Sequence, residues 1–233
     1  MSASRTYKYY DFCMAAFVCI LLCANLIGPA KATTVNLPII GPVTFLAGVL
    51  FFPISYFFGD VLTEVYGYGR DRRVVWAGFA ALIFASIMAA TVVALPPAAH
   101  WVDKQAAVAS VFGSTPRIIA GSISAFWCGS FVNSFVLAKL KILTKGRWLW
   151  TRTVGSTMCG EAVDSAIFYT LAFYGAIATA DLVTLAVTQY VLKVLWEVLS
   201  TPLTYWLVNK LKKLENEDYY DHSTDFSPFT LRT

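Results

Sequence analysis

Residues 74–95 run for 22 positions without a charged side chain, and no other feature limits the fold of this chain so strongly. As a helix rising about 1.5 Å per residue, such a run is about 33 Å long, close to the ~30 Å hydrocarbon core of a bilayer. Five further stretches, 11–28, 42–66, 116–140, 150–178 and 182–208, are nearly as apolar. Of the 233 residues, 58% are hydrophobic and 14% charged, against about 25% charged in soluble domains. That balance excludes an ordinary soluble globule. It predicts an all-α polytopic membrane protein of six transmembrane helices in one domain, residues 1–213, followed by a short exposed tail, 214–233.

The first stretch could imitate a secretory signal, since Pro29-Ala-Lys-Ala32 resembles a cleavage site. Its length and the interruption at Asn25 favour a retained span. Pro53 falls inside the second stretch and predicts a kink there. Between the third and fourth stretches, residues 98–115 predict a short interfacial helix. In the fourth, Gly121, Ala125 and Gly129 recur every four residues and Asn133 continues the stripe, which lets a neighbouring helix approach closely.

The net charge is +4, but the bases sit in short runs between apolar stretches, a topology signal rather than a nucleic-acid patch. Arg5 and Lys8, then Arg70, Arg72 and Arg73, then the bases of 139–152, then Lys210, Lys212 and Lys213 fall on one side. The other side holds Lys31, Lys104 and Arg117. Both termini are therefore expected in the cytoplasm.

Charge inside the spans is the functional signal. Glu161 and Asp164 lie one turn apart and share a helix face. A carboxylate near the bilayer centre costs at least about 2.5 kcal/mol, so it faces a partner, water or a ligand. In the last span Gln189, Lys193, Glu197, Ser200 and Thr204 form one polar stripe. Lys193 can neutralise Glu197 on its own helix, or Glu161 or Asp164 across two, and either pairing is a structural role. Yet three acids stand against one base. The excess calls for Na⁺, H⁺ or a ligand's N–H donors, and a guanine-type base offers two adjacent donors to one carboxylate. Such a flat heterocycle stacks on aromatic rings, for which Trp127 and Trp196 are candidates beside their ordinary packing role. Asp60 and Glu64, on one face just before Arg70, Arg72 and Arg73, fit a cytoplasmic gate, a salt-bridge network or a ligand site.

Other chemistry is poorly represented. The five cysteines lie in apolar stretches without ligand spacing, and only His100 and His222 supply imidazoles. No metal or cofactor is expected. There is no GxxxxGK[ST], HExxH, GxSxG or GxGxxG motif, so an enzyme is not expected, although a membrane-embedded acid–base pair of Glu161 and Asp164 is the competing class.

Four stretches together carry a resemblance. Gly59-Asp-Val-Leu-Thr-Glu-Val-Tyr-Gly-Tyr-Gly69, Phe131-Val-Asn-Ser-Phe-Val-Leu-Ala-Lys-Leu-Lys141, Arg152-Thr-Val-Gly-Ser-Thr-Met-Cys-Gly-Glu-Ala-Val-Asp164 and Leu192-Lys-Val-Leu-Trp-Glu-Val-Leu-Ser-Thr-Pro-Leu-Thr204 are similar to the queuosine precursor transporter family, which belongs to the vitamin uptake transporters. The resemblance implies import of the 7-deazaguanines preQ0 or preQ1 for tRNA queuosine. It implies a six-helix fold similar to the substrate-binding subunits of energy-coupling-factor transporters, without an obligatory ATPase. The alternative is a binding subunit for another heterocycle or vitamin that needs an energising partner. By motif the matching polar positions are Asp60, Glu64, Asn133, Glu161, Asp164, Lys193 and Glu197; the expected substrate site comprises Glu161, Asp164, Asn133, Lys193, Glu197, Gln189, Trp127 and Trp196, with Asp60, Glu64, Arg70, Arg72 and Arg73 as a gate or cytoplasmic network. This chain has Glu161 where the family's motif has Gln. The expected partners are a small 7-deazaguanine and the lipid bilayer, not nucleic acid; self-association is left open.

Overall fold

The computed structural model describes residues 6–28, 31–38, 41–113 and 116–230. Arg5 of the expected basic set and Pro29 and Ala30 of the cleavage-like stretch lie outside them. The fold is all-α apart from one hairpin. Helix α1 (Tyr10–Leu26) leads into the antiparallel strands β1 (Ala32–Leu37) and β2 (Gly41–Leu46), then α2 (Phe52–Tyr66), α3 (Tyr68–Ala94), the short α4 (Val102–Phe112), α5 (Pro116–Leu143), α6 (Leu149–Phe173) and α7 (Thr179–Glu215).

The hairpin corrects the expected second span, which began at residue 42. Thr33, Thr34 and Val35 pair with Phe45, Thr44 and Val43, residues whose branched and aromatic side chains suit a pleated surface. The helix starts only at Phe52, with Pro53 in its first turn, where its missing N–H costs nothing. Pro53 therefore opens a helix instead of kinking one.

α2 is the central element. Every residue from Gly59 to Tyr66 is buried, and the helix packs against α1, α3, α5 and α7. It ends at Gly67, whose φ of 86° suits glycine alone, and the chain turns straight into α3. The pair α5 and α6 is packed closest. A Cβ on Gly160 would stand 2.8 Å from Asn133 Cβ and 2.9 Å from the Gly129 carbonyl oxygen. The small-residue stripe of the fourth span is thus the seam on which α6 sits.

Polarity is reversed relative to a soluble protein. Phe84, Ile87, Met88 and Val92 on α3 and Val187, Val191, Leu195, Leu199 and Leu203 on α7 are exposed, while Asp60, Glu64, Asn133, Arg152, Glu161, Asp164 and Glu197 are buried. This is the arrangement expected of helices solvated by lipid around a polar interior. Among the described residues four helical stretches are long and apolar enough to cross a membrane: Ala47–Tyr66, Tyr68–Ala94, Ala99–Leu143 and Thr179–Glu215. α1 is apolar but shorter. α6 is long enough at 25 residues and is not among the four, since Arg152, Glu161 and Asp164 lie on it.

The two ends of the chain meet. The backbone N–H groups of Lys8 and Tyr9 donate to Glu215 at 3.0 and 2.7 Å, so α1 begins where α7 ends. The tail is not the exposed extension expected. Tyr68 N–H donates to Asp221, Trp76 Nε1 to the Pro228 carbonyl at 2.8 Å, and Arg72 to the Asp225 and Ser227 carbonyls at 2.7 and 2.6 Å. Buried Arg72 and the open glycine backbone at Gly67, which the Tyr219 ring covers, supply the anchor points that a linear reading of the tail does not reveal.

Candidate functional site

Inside the helix bundle α6 presents Glu161 and Asp164 on one face, as their spacing requires. Lys193 on α7 reaches both, its Nζ 2.6 Å from Glu161 Oε2 and 2.7 Å from Asp164 Oδ1. Lys193 does not pair with Glu197, four residues along its own helix. Its ammonium also stands 4.7 Å from the centre of the Phe52 ring. The Tyr56 hydroxyl and Asp164 Cβ both crowd Gly129, at 2.7 and 2.9 Å from where a Cβ would lie. A larger residue at 129 would push α5 away from the carboxylates.

Asp60 belongs to this interior rather than to the arginine cluster. Its Oδ1 accepts from Asn133 Nδ2 at 2.6 Å, a bond from α5 to α2. Several buried atoms nearby have no partner among the described residues: Asp60 Oδ2, Asn133 Oδ1, both carboxylate oxygens of Glu197, Thr157 Oγ1 and Ser165 Oγ. Gln189, one turn before Lys193, is buried as well. Most of these orphans are acceptors. Leaving a buried polar group unpaired costs about 1–3 kcal/mol, so each of these atoms calls for a partner. The helices are drawn together here. A cavity of about 10 Å³ beside Tyr56, Ser130 and Asn133 has room for about one water, and a larger guest requires the helices to part.

The aromatic expectations divide. Trp196 is half-buried against the hydrophobic core. Trp127 does not join the carboxylates. Its ring lies 5.0 Å from Phe131, 5.8 Å from Trp76 and 5.8 Å from Phe229 of the tail. Gly129 points at α6, and two residues along a helix turn the side chain to nearly the opposite side.

A second cluster closes the end where the termini meet. Glu64 is gripped by Arg152, with Nη2 2.8 Å and Nε 3.2 Å from its oxygens, and by Lys212 at 2.6 Å. Lys141 donates to the Glu64 carbonyl at 2.6 Å, to Asp218 at 2.6 Å and to the Tyr219 carbonyl at 2.7 Å. Lys212 pairs with Asp218 at 2.8 Å. Burial pushes the Asp218 carboxyl up, but hydrogen bonds and charge from Lys141 and Lys212 outweigh it and hold the group below the usual carboxylate range.

This differs from the expected network in its partners. Arg70 lies 4.5 Å over the Tyr7 ring, Arg72 holds the tail, and Arg73 is exposed. The break at Gly67 puts the arginines on a separate helix, so sequence proximity does not bring them to Glu64. Arg152, Lys141 and Lys212 were visible in the sequence only as topology bases. Their depth inside basic stretches, and an acidic tail able to reach them, were the available signals.

A family model described as "Putative vitamin uptake transporter" matches residues 46–207, a range that contains all four resembling stretches. A protein of Bacillus subtilis (strain 168) named "Probable queuosine precursor transporter" is 31% identical over 185 residues, 79% of this chain and 78% of that protein. No solved structure matches the chain.

Proposed function

Because this chain belongs to the vitamin uptake transporter family, we propose that it imports queuosine precursors, the 7-deazaguanines preQ0 or preQ1, across a bacterial inner membrane. It is a multi-pass membrane transporter and not an enzyme. Six crossings, by α1, α2, α3, α5, α6 and α7, accommodate the shared end of the termini, and the bases there make that end cytoplasmic. A six-helix fold similar to energy-coupling-factor binding subunits fits the same element order.

One observation supports the substrate reading: Lys193 is the cation bonded to the α6 pair Glu161 and Asp164, while buried acceptors of Asp60 on α2, Asn133 on α5 and Glu197 on α7 have no partner among the described residues. A deazaguanine edge offers adjacent ring N–H and amino donors. Glu161 or Asp164 takes this edge side by side, Asn133 and Gln189 meet the carbonyl or the 7-substituent, and Lys193 keeps the carboxylates charged. Flat faces come from Phe52, Tyr56 and Trp196, the first of them already beside Lys193.

Calorimetry on detergent-purified protein with preQ0, preQ1 and guanine tests this. Saturable binding of a deazaguanine in preference to guanine, lost in Glu161→Ala, is the expected result. Equal binding of all three, or none, removes the substrate assignment.

A binding subunit that requires an energising partner is the second reading. Ala15, Cys19 and Cys23 are exposed along one side of α1, a small-residue surface suited to a docking helix. Uptake into liposomes by the purified chain alone decides for the self-sufficient carrier.

A further inference from the structure

Asp71 on α3 is 0% exposed and enters no ion pair among the described residues. One of its oxygens accepts from the Ser134 hydroxyl of α5; the other, Oδ1, has no partner. Arg72, next in the chain, turns instead to the tail carbonyls of Asp225 and Ser227. A buried carboxylate is too costly to stand without a compensating positive charge.

The same side chain borders the cavity of about 10 Å³, which it shares with Ser55 and Tyr56 of α2 and Ser130, Asn133 and Ser134 of α5. Asp71 is the one charged side chain among the described residues that line it. The Tyr56 hydroxyl and Asn133 Oδ1 are, like Asp71 Oδ1, without a partner, and both side chains are buried, at 4% and 2% exposed. Asn133 Nδ2 donates to Asp60 at 2.6 Å, which settles which end of the amide is oxygen and turns Oδ1 away from Asp60. The Ser55 proton is spent on the Phe52 carbonyl at 2.6 Å. The Ser134 proton is claimed by Asp71 and by the Ser130 carbonyl at 3.0 Å. These hydroxyls have only lone pairs left to offer.

The wall is therefore rich in oxygen acceptors, carries one full negative charge and encloses room for about one water. A water molecule supplies hydrogen bonds but no charge. A proton on Asp71 cancels the charge and serves one acceptor. A small cation does both, since several oxygens bind it at once, and hard cations take carboxylate, amide and hydroxyl oxygens. One carboxylate among neutral oxygens balances a single charge. No group of three His, Cys, Asp or Glu side chains able to hold a metal ion forms among the described residues, which argues against a divalent ion here. Sodium, the smaller of the two common monovalent cations, suits a space of this size.

We infer that this cavity is a sodium site, with Asp71 Oδ1, Asn133 Oδ1 and the Tyr56 and Ser55 hydroxyl oxygens as ligands, and that the ion prepares Asn133 for substrate. Asn133 then has its oxygen on the ion, one amide hydrogen on Asp60 and the second amide hydrogen left for the ligand's carbonyl. Fixing the side chain in advance lowers the ordering cost of binding. The ion site rests on the geometry of the protein alone; its link to substrate rests on the deazaguanine reading.

Two measurements on detergent-purified protein separate these parts. Equilibrium binding of radioactive sodium in choline chloride buffer at neutral pH should be saturable, reach one ion per chain and be displaced by unlabelled sodium far better than by potassium. It should be lost in Asp71→Asn and weakened in Tyr56→Phe, which keeps the ring and removes only the hydroxyl, so the test survives if the first variant fails to fold. No saturable binding, equal displacement by potassium, or binding unchanged in the variants overturns the site without reference to any substrate. Calorimetry with preQ0 and preQ1 should then show tighter binding in sodium chloride than in choline chloride at equal ionic strength, a difference that disappears in Asp71→Asn. Equal affinity in the two salts overturns the role of the ion in preparing Asn133. If sodium binds but neither deazaguanine binds in either salt, the ion site stands and the substrate reading fails.

Discussion

Lys193 on α7 stands 2.6 Å from Glu161 on α6, and this contact, with Asp164 at 2.7 Å, joins the two helices through the polar interior. Removing the cation leaves two buried carboxylates uncompensated. Loss of one partner of a buried pair costs about 3–5 kcal/mol. Lys193→Met should therefore lower thermal stability in detergent sharply, and adding Glu161→Gln and Asp164→Asn should restore part of it. A Lys193→Met protein as stable as wild type would show that the contact carries no structural weight.

Uptake should respond differently from stability. Each charge-assisted hydrogen bond to the ligand contributes about 1.5–3 kcal/mol, or about 10- to 150-fold in affinity. Glu161→Ala and Asp164→Ala should each reduce deazaguanine uptake in cells by about that factor, with protein levels matched by immunoblot. Normal uptake in both would remove α6 from the site.

The α5–α6 seam makes a prediction about glycine alone. Gly160→Ala puts a methyl 2.8 Å from Asn133 Cβ and 2.9 Å from a backbone oxygen. Overpacking of this kind costs about 1–3 kcal/mol and shifts Asn133 away from Asp60. Gly155→Ala on the same helix meets only Leu140 Cδ1 at 3.4 Å and gains up to about 1 kcal/mol of helix propensity. A thermal-shift comparison should find the first destabilised and the second unchanged or improved.

The tail should behave as a docked element. Lys141 is 1% exposed, covered by Asp218 and Tyr219, with the Tyr220 ring 4.6 Å away. Truncation after Asn216 should expose it to an amine-reactive label, read by mass spectrometry. Arg72→Ala removes the bonds to the Asp225 and Ser227 carbonyls and should raise protease cleavage in the tail. Unchanged labelling of Lys141 after truncation would show that the tail contributes no cover.

Acid should loosen the same element. Asp218 lies below the usual carboxylate range because Lys141 and Lys212 outweigh the effect of its burial. Asp225 also lies low, through the Ser227 N–H and the Thr230 hydroxyl. A group whose folded pKa is depressed stabilises the docked state above its unfolded pKa, about 3.9 for Asp, and that contribution fades as pH falls through the folded value. Tail protection from proteolysis by an acid-active protease should fall below about pH 4. In Asp218→Asn with Asp225→Asn, protection should be lower at neutral pH and flatter against pH.

Some of this is legible in the sequence. The run 74–95 and its counterparts located the helices because a bilayer offers no hydrogen bonds, so each crossing must be a long helix with an apolar exterior. The Glu161–Asp164 face followed from helical spacing, and the Gly121–Ala125–Gly129 stripe identified the close seam. The second span was misplaced at its start because an apolar run does not distinguish strand from helix over a few residues. The packing of Trp127 among Trp76, Phe131 and Phe229 is not legible in the sequence, because composition says nothing about which way a helix is turned.

The sequence by itself determined the long helical segments apart from the hairpin, the charge carried within them at Glu161, Asp164, Lys193 and Glu197, and which end of the bundle is basic, since these depend on local periodicity and on the solvent each segment must face. Only the tertiary structure decided the partners. Glu64 meets Arg152 and Lys212 rather than the adjacent arginines, Lys193 leaves Glu197 for Glu161 and Asp164, and the tail returns to Arg72 and Gly67. Ion pairing acts over a few ångströms between residues distant in the chain. Which charges come that close is set by helix rotation and packing, which leave no period in the sequence.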